Sequence, residues 1–120
     1  MKVYKVVRKH GDKLYSYIPH GRGITVRYMV GEYASPKLAR SKLFAFTDKC
    51  EAILWAGDSG ENRVYSAIAK RATTYGSSML SWLPERFAAF WNRAGRGMYQ
   101  LSLPPHTVLC DQIKLIKEVT

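Results

Sequence analysis

The feature that most limits the fold of this chain is a series of short alternating segments separated by turn residues. The first, Val3 to Arg8, is rich in β-branched residues, and His10-Gly11-Asp12 separates it from a second at Leu14 to Ile18. A break with proline and glycines precedes a third, Ile24 to Val30. Alternation with period two is typical of half-buried strands. The opening third is therefore predicted to form an antiparallel three-stranded meander.

Two later segments have helical signals. Thr47 or Asp48 can cap a helix, and Glu51 lies three residues after Asp48, as in a capping box. Apolar residues follow at helical spacing, and Gly57 suits the end of the helix. The second segment, Leu80 to Trp91, has an apolar helical stripe, and Pro84 fits a first turn. The sequence thus predicts two helices.

Further strands are predicted around and between these helices. Leu43-Phe44-Ala45-Phe46 is predicted to be a short strand or the entry from a strand into a helix. Val64 to Arg71 is predicted to be a strand, although its alanines would also suit a helix. Thr107 to Val119 is predicted to be a strand with a bend at Asp111-Gln112. Residues 31–42, which include Pro36, are predicted to form a loop. The predicted order is roughly βββ(β)αβαβ, in one α+β domain over residues 1–120, with an antiparallel sheet opened by the meander.

The charge balance points to an anionic partner. Nineteen Lys and Arg oppose nine Asp and Glu, so the formal net charge is +10. Such a surplus creates positive potential that attracts phosphate or nucleic acid. The alternative is that the charge only aids solubility. No apolar run approaches the ~20 residues of a membrane helix, so no membrane partner is expected. Whether the chain forms a homo-oligomer is left open.

The strongest candidate for ligand binding is the segment where the second predicted helix gives way to a glycine-containing turn. Its candidate residues are Trp91, Asn92, Arg93, Arg96 and Tyr99. Arginine binds phosphate through two parallel hydrogen bonds, and aromatic rings stack on bases. The alternative is that the aromatics belong to the core and the arginines only favour the helix C-terminus.

A second candidate is the glycine-flanked turn and the strand after it, with His20, Arg22 and Arg27. Backbone amides in such a turn can bind an anion, but the lysine and Ser/Thr of a Walker loop are absent. The alternative is a hairpin tip that needs positive φ. Lys70 and Arg71, with basic residues at 37–42, are also expected to border a basic face.

Catalytic and metal chemistry have little support in the sequence. The histidines and cysteines lack the spacing of a metal site, and neither a nucleophile elbow nor a pair of acids at general acid/base spacing is found. No cofactor is predicted. Cys50 and Cys110 are expected to be two buried free thiols of a soluble, cytoplasmic protein.

Several segments resemble small standalone proteins of unknown function from phages and bacteria. They are Tyr4-Lys5-Val6-Val7-Arg8, Leu43-Phe44-Ala45-Phe46 followed by Glu51-Ala52, and Leu103 to Leu109 followed by Ile113-Lys114-Leu115-Ile116. Pro104-Pro105-His106-Thr107 is also similar to the last strand of ADP-ribosyltransferases, with His106 in place of a glycine. The Glu-x-Glu of many such enzymes is missing, which speaks against transferase activity.

In size and in its arginine and aromatic content, the chain resembles phage anti-defence proteins that sequester the cyclic ADP-ribose signal of Thoeris immunity. That resemblance implies a non-enzymatic nucleotide-binding protein. The first hypothesis is therefore a binder of a phosphate-bearing ligand, most readily a nucleotide. The alternatives are an RNA- or DNA-binding accessory protein and a small nucleotide-processing enzyme. A nucleotide binder should concentrate arginines and rings in one pocket, whereas a nucleic-acid binder should spread them along a face.

Overall fold

A computed structural model describes residues 1–17, 25–37, 42–74 and 106–119 of the chain. These residues form nine strands and one helix. The strands are β1 (Lys2–His10), β2 (Lys13–Ser16), β3 (Arg27–Tyr28), β4 (Tyr33–Ala34), β5 (Leu43–Phe46), β6 (Asn62–Lys70), β7 (Thr73–Thr74), β8 (Thr107–Cys110) and β9 (Gln112–Glu118). The helix is α1 (Lys49–Ala56), between β5 and β6.

Strand β1 lies at the centre of one antiparallel sheet. One of its edges pairs with β6, which continues to β9 and β4. Its other edge is divided, because Tyr4 pairs with Phe46 of β5, whereas Val7 and the following residues pair with β2. From there β5 continues to β8 and β7, and β2 continues to β3. The sheet therefore forks beside Lys5.

The inner face of the sheet forms the larger core. The strands curl so that Leu14 and Tyr28, near one end of the sheet, share this core with Ile113 and Leu115 near the other. Its buried members are Val3, Val7, Leu14, Val26, Tyr28, Leu43, Ala45, Ala67, Ala69, Val108, Cys110, Ile113 and Leu115. Burial of these apolar side chains is the main favourable term for the fold.

Helix α1 packs on the outer face of the sheet. The Asp48 side chain accepts a hydrogen bond from the backbone N–H of Glu51 at 3.0 Å, and Gly57 ends the helix with φ of 64°. The cap and the terminal glycine are confirmed as predicted. A smaller core lies under the helix and contains Val6, Phe46, Ala52, Ala56 and Val64. The helix covers the middle of the outer face, where Val6 lies opposite Val64.

The predicted α+β class with two helices is wrong. More than half of the described residues are in antiparallel strands and a single helix is present among them, so the fold is predominantly β. Tyr33–Ala34 forms a strand where a loop was predicted, and Thr73–Thr74 forms another short strand, because long-range pairing makes strands of segments too short to show a period. The second predicted helix, Leu80 to Trp91, lies outside the described residues.

The other predicted strands are present in the structure, although some differ in length from the prediction. The opening meander is confirmed, since β1 pairs with β2 and β2 with β3. Its third strand is much shorter than predicted and covers Arg27–Tyr28 alone. The long closing segment divides at Asp111, as its polar pair indicated. Local patterns thus predicted strands well, whereas the sheet order depends on distant pairing.

Candidate nucleic-acid interface

The predicted site residues fall mostly outside the part of the chain that the structure describes. Those residues are His20, Arg22, Trp91, Asn92, Arg93, Arg96 and Tyr99. Arg27 is described, and its side chain is exposed on β3 opposite Tyr15 of β2. The structure therefore brings Arg27 beside a tyrosine, and the predicted pocket around Trp91 stays a prediction.

A row of basic, aromatic and apolar side chains crosses the outer face at one end of the sheet. Tyr33 of β4 lies opposite Lys114 of β9, which lies opposite Ile68 of β6. Ile68 in turn lies opposite Lys2 of β1. Directly opposed residues of antiparallel strands share one face, and neighbouring strands are about 4.8 Å apart. The row therefore runs about 14 Å across the sheet.

The side chains of this row are accessible. Tyr33 and Ile68 are each 38% exposed, Lys2 is exposed and Lys114 is half-buried. Helix α1 packs against Val6 and Val64, four residues along the strands from Lys2 and Ile68, so it covers the neighbouring part of the same face. We call Lys2, Tyr33, Ile68, Lys70 and Lys114 the open face.

Tyr33, on the edge strand β4, is the aromatic ring of the open face that two lysines contact. The Nζ of Lys70 lies 4.1 Å and that of Lys114 lies 4.9 Å from the centroid of its ring. A cation over an aromatic ring at such distances contributes about 0.5–1 kcal/mol at exposed sites. The two lysines therefore hold the ring in place and concentrate positive charge around it. Lys2 makes a similar, longer contact with Tyr4, at 5.8 Å.

None of the described carboxylates forms an ion pair with a lysine of the open face. The ion pairs recorded within the described ranges join Lys42 and Arg71 to Asp111, the latter at 3.7 Å. Lys2, Lys70 and Lys114 therefore remain available to an anion. Lys70 and Arg71 were predicted to border one basic face, but they lie in different surroundings. Lys70 belongs to the open face, whereas Arg71 pairs with Asp111.

Buried polar groups also lie in the larger core, around the fork in the sheet. Lys5 is 2% exposed, and its Nζ donates a hydrogen bond to the carbonyl of Phe44 and lies 5.7 Å from the Tyr28 ring centroid. Burial lowers the pKa of the Lys5 amine to about 8 and raises the pKa of the Cys110 thiol to about 11. Burial also raises the pKa of the Tyr28 phenol. This cluster is enclosed, so it bears on stability rather than on ligand binding.

The two cysteines differ in their surroundings. Both are free, as predicted, but Cys50 is exposed on α1 and only Cys110 is buried. The prediction of two buried thiols is thus wrong for Cys50, because α1 has its small residues Ala52 and Ala56 turned to the sheet instead. Among the described residues, no His, Cys, Asp and Glu side chains form a group that could hold a metal ion.

Comparison with known proteins assigns no relatives. Neither a protein-family model, nor a curated protein, nor a solved structure matches the chain. The resemblance to phage nucleotide sponges stays a prediction. Within the described ranges, no helix combines the length and apolar character needed to cross a membrane. The functional conclusion therefore depends on the geometry of the open face.

Sequence reasoning found one member of this face, Lys70, and missed the others. Tyr33 lies in a segment predicted to be a loop, and Lys114 appeared only as part of a strand. The alternation of Lys2, Tyr4 and Val6 along the first strand was a signal that these three residues share one face of the sheet. The juxtaposition itself arises from strand pairing between four distant parts of the chain, which no local pattern shows.

Proposed function

We propose that this protein is a non-enzymatic binder of phosphate-bearing ligands, and that its ligand is single-stranded nucleic acid held on the open face. The observation that carries the proposal is the Tyr33 ring, exposed on a sheet face between two lysines at 4.1 and 4.9 Å. Exposed rings on open sheet faces stack bases in a common class of RNA-binding domain. Lysines beside the ring are suited to the phosphates between those bases.

The same geometry favours a single strand over a duplex. A base can stack on Tyr33 only where its own face is free, and in a duplex the base faces are already stacked. A stacked base would displace a lysine from the ring, and the released ammonium would then contact a neighbouring phosphate. Ile68, exposed between Lys2 and Lys114 in the row, offers apolar contact to a sugar or base.

The spread of these groups bears on the choice between a nucleotide and a polymer. Lys2 and Tyr33 lie on strands about 14 Å apart, which exceeds the length of a nucleoside monophosphate. A ligand with several phosphates and bases uses more of this surface than a mononucleotide does.

We also propose that the protein is cytoplasmic, where the thiols of Cys50 and Cys110 would stay reduced.

Fluorescence anisotropy with a labelled single-stranded oligonucleotide tests the proposal. Base stacking on an aromatic side chain contributes about 1–3 kcal/mol, so Tyr33→Ala is expected to weaken binding by roughly five- to 150-fold. Tyr33→Phe keeps the ring and is expected to retain affinity. Leu54→Ala, which removes a 73% exposed side chain on α1, is the matched control and should bind like the wild type.

Lysine variants and competitors complete the test. Each lysine–phosphate contact on a single strand contributes about 0.7 to the slope of log affinity against log salt, so Lys114→Gln should reduce that slope by about this amount. Lys49→Gln, at an exposed lysine of α1, should leave the slope unchanged. If a mononucleotide competes as well as the oligonucleotide, or if Tyr33→Ala binds normally, the ligand is not a single strand on the open face.

A further inference from the structure

A second basic and aromatic cluster lies on the same outer face, at the other end of the sheet. Arg8 of β1 lies opposite Tyr15 of β2, and Tyr15 lies opposite Arg27 of β3. On its other side Arg8 lies opposite Asn62 of β6. Register therefore places Arg8 and Arg27 on either side of Tyr15 on one face, with about 10 Å between the outer strands.

This cluster is separate from the open face. Arg8 follows Lys2 by six residues along β1, which corresponds to about 20 Å of strand. Helix α1 lies between them, packed on Val6 and Val64, and Asn62 donates a hydrogen bond to the helix carbonyl of Ala56 at 2.8 Å. A single phosphate group bound at one place therefore does not contact the other.

The charge of the cluster is strongly one-sided. His10 and Lys13 form the next row of the same face and are both exposed. The ion pairs recorded within the described ranges involve neither Arg8 nor Arg27. No described carboxylate therefore forms an ion pair with either arginine of the cluster.

Arg8 carries an additional sign of a missing partner. Its Nε is buried and has no hydrogen-bond partner within the described part of the chain. A buried polar group without a partner costs about 1–3 kcal/mol, and buried unsatisfied groups in native proteins often mark an absent water or ion. Nε is one of the two donors that a guanidinium presents to an oxyanion side-on. A small rotation of the half-buried Arg8 side chain would bring this donor to the surface.

We propose that Arg8, Tyr15 and Arg27 form a second anion site that binds a phosphate group. The guanidinium groups donate paired hydrogen bonds to its oxygens, and the Tyr15 ring forms the floor between them. The phosphate can belong to free inorganic phosphate or to a nucleic-acid strand. The site does not depend on the open face, so each can be tested when the other is absent.

Arginine Nε–H signals in a proton–nitrogen correlation spectrum report on this site directly. The probe is inorganic phosphate, titrated against chloride at constant ionic strength. The Arg8 and Arg27 signals are expected to move together and to saturate. Arg27→Lys keeps the charge but loses the two-pronged donor, so it should weaken binding by about tenfold or more. Arg71, whose side chain is 87% exposed beside Asp111, is the control signal and should not move.

Phosphate binding at the Arg8–Tyr15–Arg27 site and oligonucleotide binding on the open face can be refuted separately. If the Arg8 and Arg27 signals move no more than that of Arg71, or change linearly without saturation, the anion site is refuted. Tyr33→Ala should leave the phosphate titration unchanged even if it abolishes oligonucleotide binding. A terminally phosphorylated oligonucleotide and its unphosphorylated form then assign the source of the phosphate, because tighter binding of the first indicates a terminal group. If neither form moves the two arginine signals, the site takes free phosphate alone.

Discussion

Replacing Lys5 with methionine is expected to stabilise the protein at neutral pH. Lys5 lies between Val3 and Val7 on the inner face of β1, so its ammonium is surrounded by the larger core. Its pKa is lowered from 10.5 to about 8 because burial disfavours the charged form. That difference corresponds to about 3 kcal/mol of free energy against the protonated folded state.

The sign of the pH dependence follows from the lowered pKa. Between pH 8 and 10.5 the unfolded chain holds a proton that folded Lys5 has lost, so the free energy of unfolding rises with pH across this window. Below pH 8 Lys5 is protonated in both the folded and the unfolded state, so the folded protein carries the full free-energy cost of the buried charge. Lys5→Met removes the charge but also the hydrogen bond to the Phe44 carbonyl, which is worth about 1 kcal/mol. A net stabilisation of about 2 kcal/mol at neutral pH is expected.

Urea denaturation of both proteins at several pH values measures this difference. The advantage of Lys5→Met should shrink as the pH rises from 8 towards 10.5, because the wild-type lysine becomes neutral in the folded state. Lys49→Met, at an exposed position on α1, is the control and should show no such window. A variant that is less stable than the wild type at neutral pH, or a difference that is constant with pH, would refute the reasoning.

Two further predictions concern α1. Cys50 is exposed and Cys110 is buried, so a thiol reagent should modify Cys50 in the folded protein and Cys110 only after unfolding, as mass spectrometry of the labelled peptides can show. Equal labelling of both thiols in the folded state would contradict the burial of Cys110. Asp48→Ala removes the acceptor for the Glu51 N–H and should lower the free energy of unfolding by about 1 kcal/mol, whereas Asp48→Asn should retain most of it. A thermal denaturation series that ranks the two variants equally would show that the cap is not formed in solution.

The sequence carried enough information for individual elements but not for their arrangement. Alternation in Val3 to Arg8 and the capping pair at Asp48 and Glu51 each depend on neighbours within one segment, so they could be read directly. Strands of two residues, such as Tyr33–Ala34, have no period to detect and exist because β9 pairs with them. The fold class was wrong because the described residues are mostly antiparallel strand with a single helix, and the shortest strands add to this sheet without a local signal.

The candidate sites could be predicted from local sequence patterns even less well than the strands. Arg27 is a predicted site residue because its strand follows the glycine-flanked turn, but its partners Tyr15 and Arg8 follow from strand register. Tyr33 gains its role only when Lys114 and Lys70 are placed beside its ring. Lys5 looks like an ordinary strand lysine until the fork in the sheet encloses it. Each of these features combines residues that are distant in the chain, so composition could indicate an anionic partner but not the surface that receives it.

The most direct test of the open face is to map an oligonucleotide onto the folded protein by nuclear magnetic resonance. A short single-stranded oligonucleotide is added to labelled protein, and the backbone amide shifts are followed residue by residue. Binding on the open face predicts that the largest changes occur at Tyr33, Lys70 and Lys114, and that those at Lys70 and Lys114 are strongly reduced in Tyr33→Ala at the same oligonucleotide concentration. Changes confined to residues 91–99, with β4 and β9 unaffected, would contradict the open face and return the site to the predicted arginine turn.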